Sequence, residues 1–315
     1  MMIQLRIVVV LLLILVILPV WAAKDYGLKP VEIAPGTYVL LGENAHFNSR
    51  NGGNIVNTAF IVTDAGVVVI DSGPSRLYGE QLRQVIGKVT ELPILKLFNT
   101  HLHPDHILGN QAFEDIPIAA LAGTIEGIRD QGENFNDNMY RLVGPWMVGT
   151  RVVVPTETVQ PGILEIGGHR LQLIEMQGHS HADLVILDQT TGVLFAADVV
   201  FHGRTPTTPH ADVAHWLKAL DKFSHLDFKL LVPGHGGVVA DTRAVVQTHD
   251  YLQWLMTSLI LAAEQGMTMA EVLRLDAPPS IARLAVFQEE YQRSVVHLFP
   301  EIEAKVLSRG RVVQE

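Results

Sequence analysis

The sequence contains no cysteine. That absence removes two kinds of chemistry: no thiol is present to act as nucleophile, and any metal site has to be assembled from histidine and carboxylate. It also suits a chain kept free of stray thiols in an oxidising compartment. Lysine and arginine are sparse, 23 against 33 Asp and Glu, for a net charge of −10. They form no block, which excludes the basic footprint of a nucleic-acid-binding protein. The acidic balance bears mainly on solubility and leaves an anionic substrate open, because two divalent cations would dominate the local field. A Gly-X-Ser-X-Gly elbow is also missing, so a serine nucleophile of that kind has no support. No short-period repeat runs through the chain.

What remains is ordinary for a globular protein: 315 residues, 48% hydrophobic and 18% charged. That is enough chain to bury a sizeable core as one large domain or two small ones, and it excludes disorder away from the ends. The start reads as a signal peptide: Arg6 gives a positive edge, Ile7 to Val20 is uninterrupted apolar sequence, and Val20-Trp21-Ala22 supplies a processing site. Residues 1–22 are therefore expected to be a leader, the mature chain to start at Ala23 or Lys24, and the protein to be periplasmic or secreted. An uncleaved anchor is the alternative, although the run is short of the ~20 residues that span a bilayer.

Beyond the leader, two-residue periodicity predicts strands at Val31–Ile33, Thr37–Leu41, Asn54–Thr63 and Gly66–Asp71, joined by tight turns. A helix over Pro74–Lys88 and a strand over Ile94–Asn99 follow. Then come a strand at Ile116–Leu121 and a helix at Thr124–Arg141. Further strands are expected at Ile163–Ile166, Arg170–Glu175, Leu184–Leu187, Val193–Ala196 and Lys229–Val232, with a helix at Ala211–Phe223. Hairpins followed by strand–helix units, twice over, fit two packed sheets with helices outside. From about Ala240 the pattern is helical: Asp241–Glu264, a capping box at Thr268 and Glu271, then Ser280–Phe299 after Pro278-Pro279. These apolar faces are expected to pack on the core. The division is thus a main domain over residues 23–265 and a C-terminal helical extension over 266–315.

The chemistry concentrates in His101-Leu102-His103-Pro104-Asp105-His106. In an extended stretch residues two apart point the same way, so His101 and His103 can reach one metal. Pro104 suits the first turn of a helix, from which Asp105 and His106 would project toward a second metal. Three further ligand-type residues follow strands: His179 in Gln177-Gly178-His179-Ser180, Asp198 in Phe195-Ala196-Ala197-Asp198, and His235 in Pro233-Gly234-His235-Gly236.

His-X-His-X-Asp-His, then Gly-His-Ser, then an apolar strand ending in Asp, then Pro-Gly-His-Gly, resembles the motif order of the metallo-β-lactamase superfamily over roughly Thr37 to Val239. Asp71, in Val68-Val69-Ile70-Asp71-Ser72-Gly73, resembles that family's second-strand motif, where it braces the metal loop. Within the superfamily the chain is similar to the zinc metallohydrolases of the quinoprotein relay system, through Tyr26–Pro30, Asn51–Asn54, Pro206–Asp212 and Leu231–Gly236. The resemblance implies a four-layer αββα sandwich of the α/β class. It implies one metal on His101, His103 and His179, a second on Asp105, His106 and His235, and Asp198 bridging. Five imidazoles and two carboxylates suit two Zn2+, and Fe or Mn fits the same ligands. Ala197 departs from the family, where glycine is common.

A hydroxide bridging the two zincs would be the nucleophile, with Asp105 orienting it and carrying its proton. An ester, lactone or thioester is the expected small-molecule substrate, with esters and lactones ahead of β-lactams, and a quinoprotein dehydrogenase system is the expected partner. Membrane contact follows only if the leader stays attached. A mononuclear iron oxygenase on the same fold, or a periplasmic accessory protein that binds metal or cofactor with little turnover, remain alternatives. His46, His202 and His210 are expected at the pocket rim or in structural roles, His181 near a ligand. His297 is expected to be a surface or helix-packing residue. Loops Asn44–Gly53 and Asp130–Thr150 would shape the substrate site.

Overall fold

A computed structural model describes residues 24–312 of the chain. The leader expected over residues 1–22 lies outside the described residues. Among the described residues no helix is long and apolar enough to cross a membrane.

The first half runs β1 (Val31–Ala34), β2 (Thr37–Leu40), β3 (Thr58–Val62), β4 (Val67–Ile70), α1 (Arg76–Val89), β5 (Ile94–Phe98), the single turn α2 (Pro104–Ile107), β6 (Ile118–Ala120), α3 (Ala122–Val143) and the short β7 (Glu157–Thr158). The second half runs β8 (Gly162–Ile166), β9 (His169–Met176), β10 (Asp183–Asp188), β11 (Val193–Phe201), α4 (Val213–Asp221) and β12 (Leu230–His235). Helices α5 (Arg243–Glu264), α6 (Met269–Val272), α7 (Pro279–Ala282) and α8 (Phe287–Val312) complete it.

Strands β1 to β7 form one sheet in sequential order, and β12-β11-β10-β9-β8 form a second. Both sheets begin as antiparallel meanders and turn parallel, at β4–β5 in the first and at β11–β12 in the second. Apolar residues run almost continuously along β3, β4, β10 and β11, and successive side chains point to opposite faces of the sheet. Val39, Ala59, Ile61, Val68 and Ile70 of one sheet therefore meet Leu171, Leu184, Ile186 and Phe195 of the other in a dry inter-sheet core. The opposite residues of the first sheet, Phe60, Val67 and Val69, pack under Tyr78, Leu82 and Ile86 of α1. The outer face of the second sheet is covered by α4, α5 and the C-terminal helices, with Trp216, Tyr251, Leu255, Tyr291, Val295 and Phe299 in one cluster. The result is the expected four-layer αββα sandwich with C-terminal helices added.

Several boundaries differ from expectation, each for a local reason. The strand expected from Asn54 begins only at Thr58, because the polar groups before it are taken elsewhere. Asn57 Nδ2 donates to the carbonyls of Pro233 (2.8 Å) and Gly236 (2.7 Å). β11 runs on through Asp198 to Phe201, past a register shift at Ala197, whose φ is +46°. Glycine adopts such a φ more readily than alanine does. The expected Ser280–Phe299 helix is split into α7, with Pro279 in its first turn, and α8, which continues through Pro300. The capping box forms as expected: Glu271 N–H reaches Thr268 Oγ1 (3.4 Å), and Thr268 N–H reaches the Glu271 carboxylate (2.8 Å).

Candidate metal centre

The ligand loop is built where β5 ends. His103 keeps an extended backbone (φ −71°, ψ 150°) as the N-cap of α2, and Pro104 fills the first helical turn, where its missing N–H costs nothing. His101 and His103 therefore approach from the extended stretch, while Asp105 and His106 project from the helix turn. His179 comes from the β9–β10 turn, Asp198 from β11 and His235 from the end of β12 beside it. All seven side chains are buried.

They gather into two groups. The ligand atoms of His101, His103, His179 and Asp198 all lie within 4.8 Å of one another, and so do those of Asp105, His106 and His235. His103 Nδ1 stands 3.0 Å from His101 Nε2 and 2.8 Å from His179 Nε2. Asp198 joins the groups: Oδ2 lies 3.4 Å from His179 Nε2 and 3.1 Å from His235 Nε2, while Oδ1 lies 3.2 Å from His106 Nε2. Asp105 Oδ2 is 3.5 Å from His235 Nε2 and 3.8 Å from His106 Nε2.

The outward ring nitrogens fix which lone pairs face inward. His106 Nδ1 is 2.7 Å from Asp71 Oδ2 and His235 Nδ1 is 2.7 Å from the Ile55 carbonyl; both partners only accept, so each Nδ1 donates and in the neutral ring Nε2 is the nitrogen left bare. Asp71 also accepts from Thr100 N–H (2.8 Å) and from Thr100 Oγ1 (2.7 Å). The Thr100 hydroxyl proton is thereby used, so its oxygen accepts from His101 Nδ1 at 3.1 Å. His210 Nδ1 lies 2.8 Å from His103 Nε2 and orients that ring.

Burial, then the neighbouring imidazole of His106 or His179, holds His101 and His103 well below the usual histidine range. Burial also lowers His179 strongly. These three are neutral donors. Burial opposes charge on His106 too, but the carboxylates of Asp71, Asp198 and Asp105 outweigh it and raise its pKa. Burial likewise works against ionised Asp198, yet His235 and His106 hold it well below the ordinary carboxylate range, whereas burial raises Asp105. Behind His179, Asp183 accepts from Ser180 N–H and Oγ (2.6 Å), and burial pushes its carboxyl up to about 7.

Metal ions fit these residues. Asp105 Oδ2, His106 Nε2 and Asp198 Oδ1 are buried, converge on one point and lack any hydrogen-bond partner. Each such orphan costs about 1–3 kcal/mol. Three imidazoles that turn one nitrogen each toward the same point suit a shared electron-pair acceptor, and the all-nitrogen and oxygen donor set suits zinc, iron or manganese.

The cleft above the centre, about 220 Å³, is lined by His103, Asp105, Asp198 and His235 together with Phe47, Ile55, Phe135, Asn138, Pro209 and His210. The loop Asn44–Gly53 shapes it through His46 and Phe47, whereas Phe135 and Asn138 stand on helix α3, which takes up Asp130–Thr150 as far as Val143. Tyr140 is exposed and Trp146 packs in a core under α3. His181 is exposed and joins neither group, while His202 is spent on the Gly237 carbonyl at 2.8 Å. Sequence reasoning missed Arg204, Arg293 and His297 of the lining. The spacing of Arg293 and His297 puts them on one helix face, but nothing local tells which face meets the cleft.

The family model described as the metallo-beta-lactamase superfamily matches residues 51–235. The chain belongs to the metallo-β-lactamase superfamily. Among relatives, a linear primary-alkylsulfatase of a Pseudomonas species is 22% identical over 282 residues; the match takes in 75% of this chain, which spans only 53% of that protein's length. The acyl-coenzyme A thioesterase MBLAC2 of Homo sapiens is 26% identical over 226 residues, 64% of this chain and 80% of that protein. A metallo-beta-lactamase from Pontibacter korlensis shares the fold, with a TM-score of 0.59 and 20% identity over 72% of this chain and 99% of its own. Named relatives of this superfamily chain are hydrolases of sulfate esters, thioesters and β-lactams.

Proposed function

We propose that the protein is a dinuclear metal-dependent hydrolase of esters or thioesters, with zinc as its metal. The observation that carries this is the bridging position of Asp198. One carboxylate oxygen faces His179 and His235 and the other faces His106, so a single side chain serves both ligand groups at the floor of an open cleft. Ions bound there would lower the pKa of water from ~15.7 toward ~7 and polarise an acyl oxygen.

The protein's own contribution is positional. Asp71, Thr100 and the Ile55 carbonyl hold three ligand rings in the tautomer that leaves Nε2 bare. Asp105 lines the cleft with an unpartnered carboxylate oxygen, placed to orient a water and to take up or return its proton. Ile55, Phe47, Phe135 and Pro209 supply apolar wall that keeps bulk water from competing. The thioesterase among the relatives supports an acyl substrate.

Export and a link to a quinoprotein dehydrogenase belong to the same proposal. The leader pattern supports the first. The second is supported by the motif Pro206–Asp212, which here carries His210 beside the metal ligand His103.

The test is metal analysis with a substrate panel. Protein purified with zinc should hold close to two equivalents per chain and cleave acyl thioesters or aryl esters faster than penicillins or carbapenems. One tightly held iron, indifferent to loss of Asp105 or His106, would defeat the dinuclear reading. Faster turnover of β-lactams than of any ester would defeat the substrate class.

A further inference from the structure

The wall of the cleft opposite the shared fold comes from α8, outside the matched residues 51–235. Arg293 and His297 of that helix line the metal cleft, together with His46. The same three residues line a second, outer groove of about 430 Å³, completed by Glu289, Gln292 and Val296. The two cavities therefore adjoin at a shared collar of Arg293, His297 and His46.

This collar is a built feature. Glu290, fully buried, receives Arg204 Nη2 (3.2 Å), Thr207 Oγ1 (3.0 Å) and Arg293 Nη1 (3.2 Å). Thr208 Oγ1 donates to Ser294 Oγ at 2.7 Å, and Ala285 and Gly203–Thr205 exchange backbone hydrogen bonds. Helix and loop are thus locked together. One carboxylate serves two guanidinium groups, so a positive charge is left over. Both contacts of Arg293 with Glu290 use Nη1, which leaves Nη2 and Nε uncommitted among the described residues. The Arg293 side chain is 46% exposed, whereas Arg204 is buried at 2%. Glu289, an exposed carboxylate, lines the outer groove but not the cleft. On the cleft side the two guanidinium groups outnumber Glu290, while Glu289 offsets that charge only at the outer groove.

We propose that Arg293, flanked by His297 and His46, is an anion-recognition subsite at the mouth of the metal cleft. The substrate then carries a carboxylate, sulfonate or phosphate group several atoms from the bond that is cut. This rests on the hydrolase reading above and adds to it the charge of the substrate. A guanidinium with two free N–H donors matches an oxyanion in geometry as well as in charge.

The experiment compares two hexanoyl thioesters that differ in one group, those of 2-mercaptoethanesulfonate and of 2-mercaptoethanol, by thiol release from the metal-loaded protein. The anionic probe should be preferred in kcat/KM by about tenfold or more. Arg293→Gln should bring the ratio to about unity, and Arg293→Lys should keep part of it. A ratio near unity in the unaltered protein, or equal loss on both probes in Arg293→Gln, overturns the subsite, since a purely structural role would slow both alike. If neither thioester is cleaved, the thioesterase reading fails and the subsite is still read by calorimetric titration of hexane-1-sulfonate against hexan-1-ol. Preference for the sulfonate that disappears in Arg293→Gln supports the collar. Preference that survives the substitution would place the anion on the metals and overturn it.

Discussion

At Gly234 the backbone of β12 passes so near β11 that an added Cβ would stand 1.9 Å from Asp198 Oδ1 and 2.7 Å from the Ala197 carbonyl carbon. Gly234→Ala must therefore move the carboxylate shared by both ligand groups. The expected outcome is loss of most bound metal and a fall in turnover of two orders of magnitude or more, read by metal analysis and initial rates. Full metal content in this variant would show that Asp198 does not bridge. Asp71 acts one shell out, with its two oxygens spent on Thr100 and His106. Asp71→Asn should weaken metal binding about 10–100-fold in chelator competition, because one oxygen replaces two and the amide NH2 must then face either Thr100 N–H or His106 Nδ1. Unchanged affinity would leave Asp71 a purely structural residue. His103→Ala removes the nitrogen that faces both His101 and His179, and should abolish most activity while the protein keeps its circular dichroism.

Elements set where these residues can stand. The turn α2 exists because Pro104 follows an extended histidine, and this junction splits four adjacent ligands between two groups. That much was legible in the six-residue motif. The loop before β3 was not. Asn54 to Asn57 leads straight into the apolar run of β3, yet Asn57 is taken by the carbonyls of Pro233 and Gly236, almost 180 positions on, and a pairing that distant leaves no local mark. Helix α8 is similar: its apolar stripe was readable, but not that Glu290 would be buried under Arg204. Glu290→Gln leaves that guanidinium without its counter-charge. It should cost about 3–5 kcal/mol in urea unfolding, and a loss below about 1 kcal/mol would mean that the pair is not desolvated as the structure has it.

For the whole molecule, metal binding at the cluster and folding would be thermodynamically linked. Several buried donor atoms among the described residues have no hydrogen-bond partner, so an ion that binds only the folded chain would stabilise it, by about 4 kcal/mol at a thousandfold excess over its Kd. Chelation should lower the thermal midpoint by several degrees, and zinc should restore it. A midpoint indifferent to chelator would mean that the cluster is satisfied without metal. The sequence by itself determined the layer architecture and which histidines and aspartates would cluster, because hydrophobic alternation specifies faces and because closely spaced histidines, aspartates and glycines mark the loops that carry them. Tertiary structure alone decided that Asp198 faces both groups, that His210 orients His103, and that Arg293 and His297 close the cleft. Those relations join residues far apart in the chain, and their geometry comes from how sheets and helices pack against one another rather than from any local pattern.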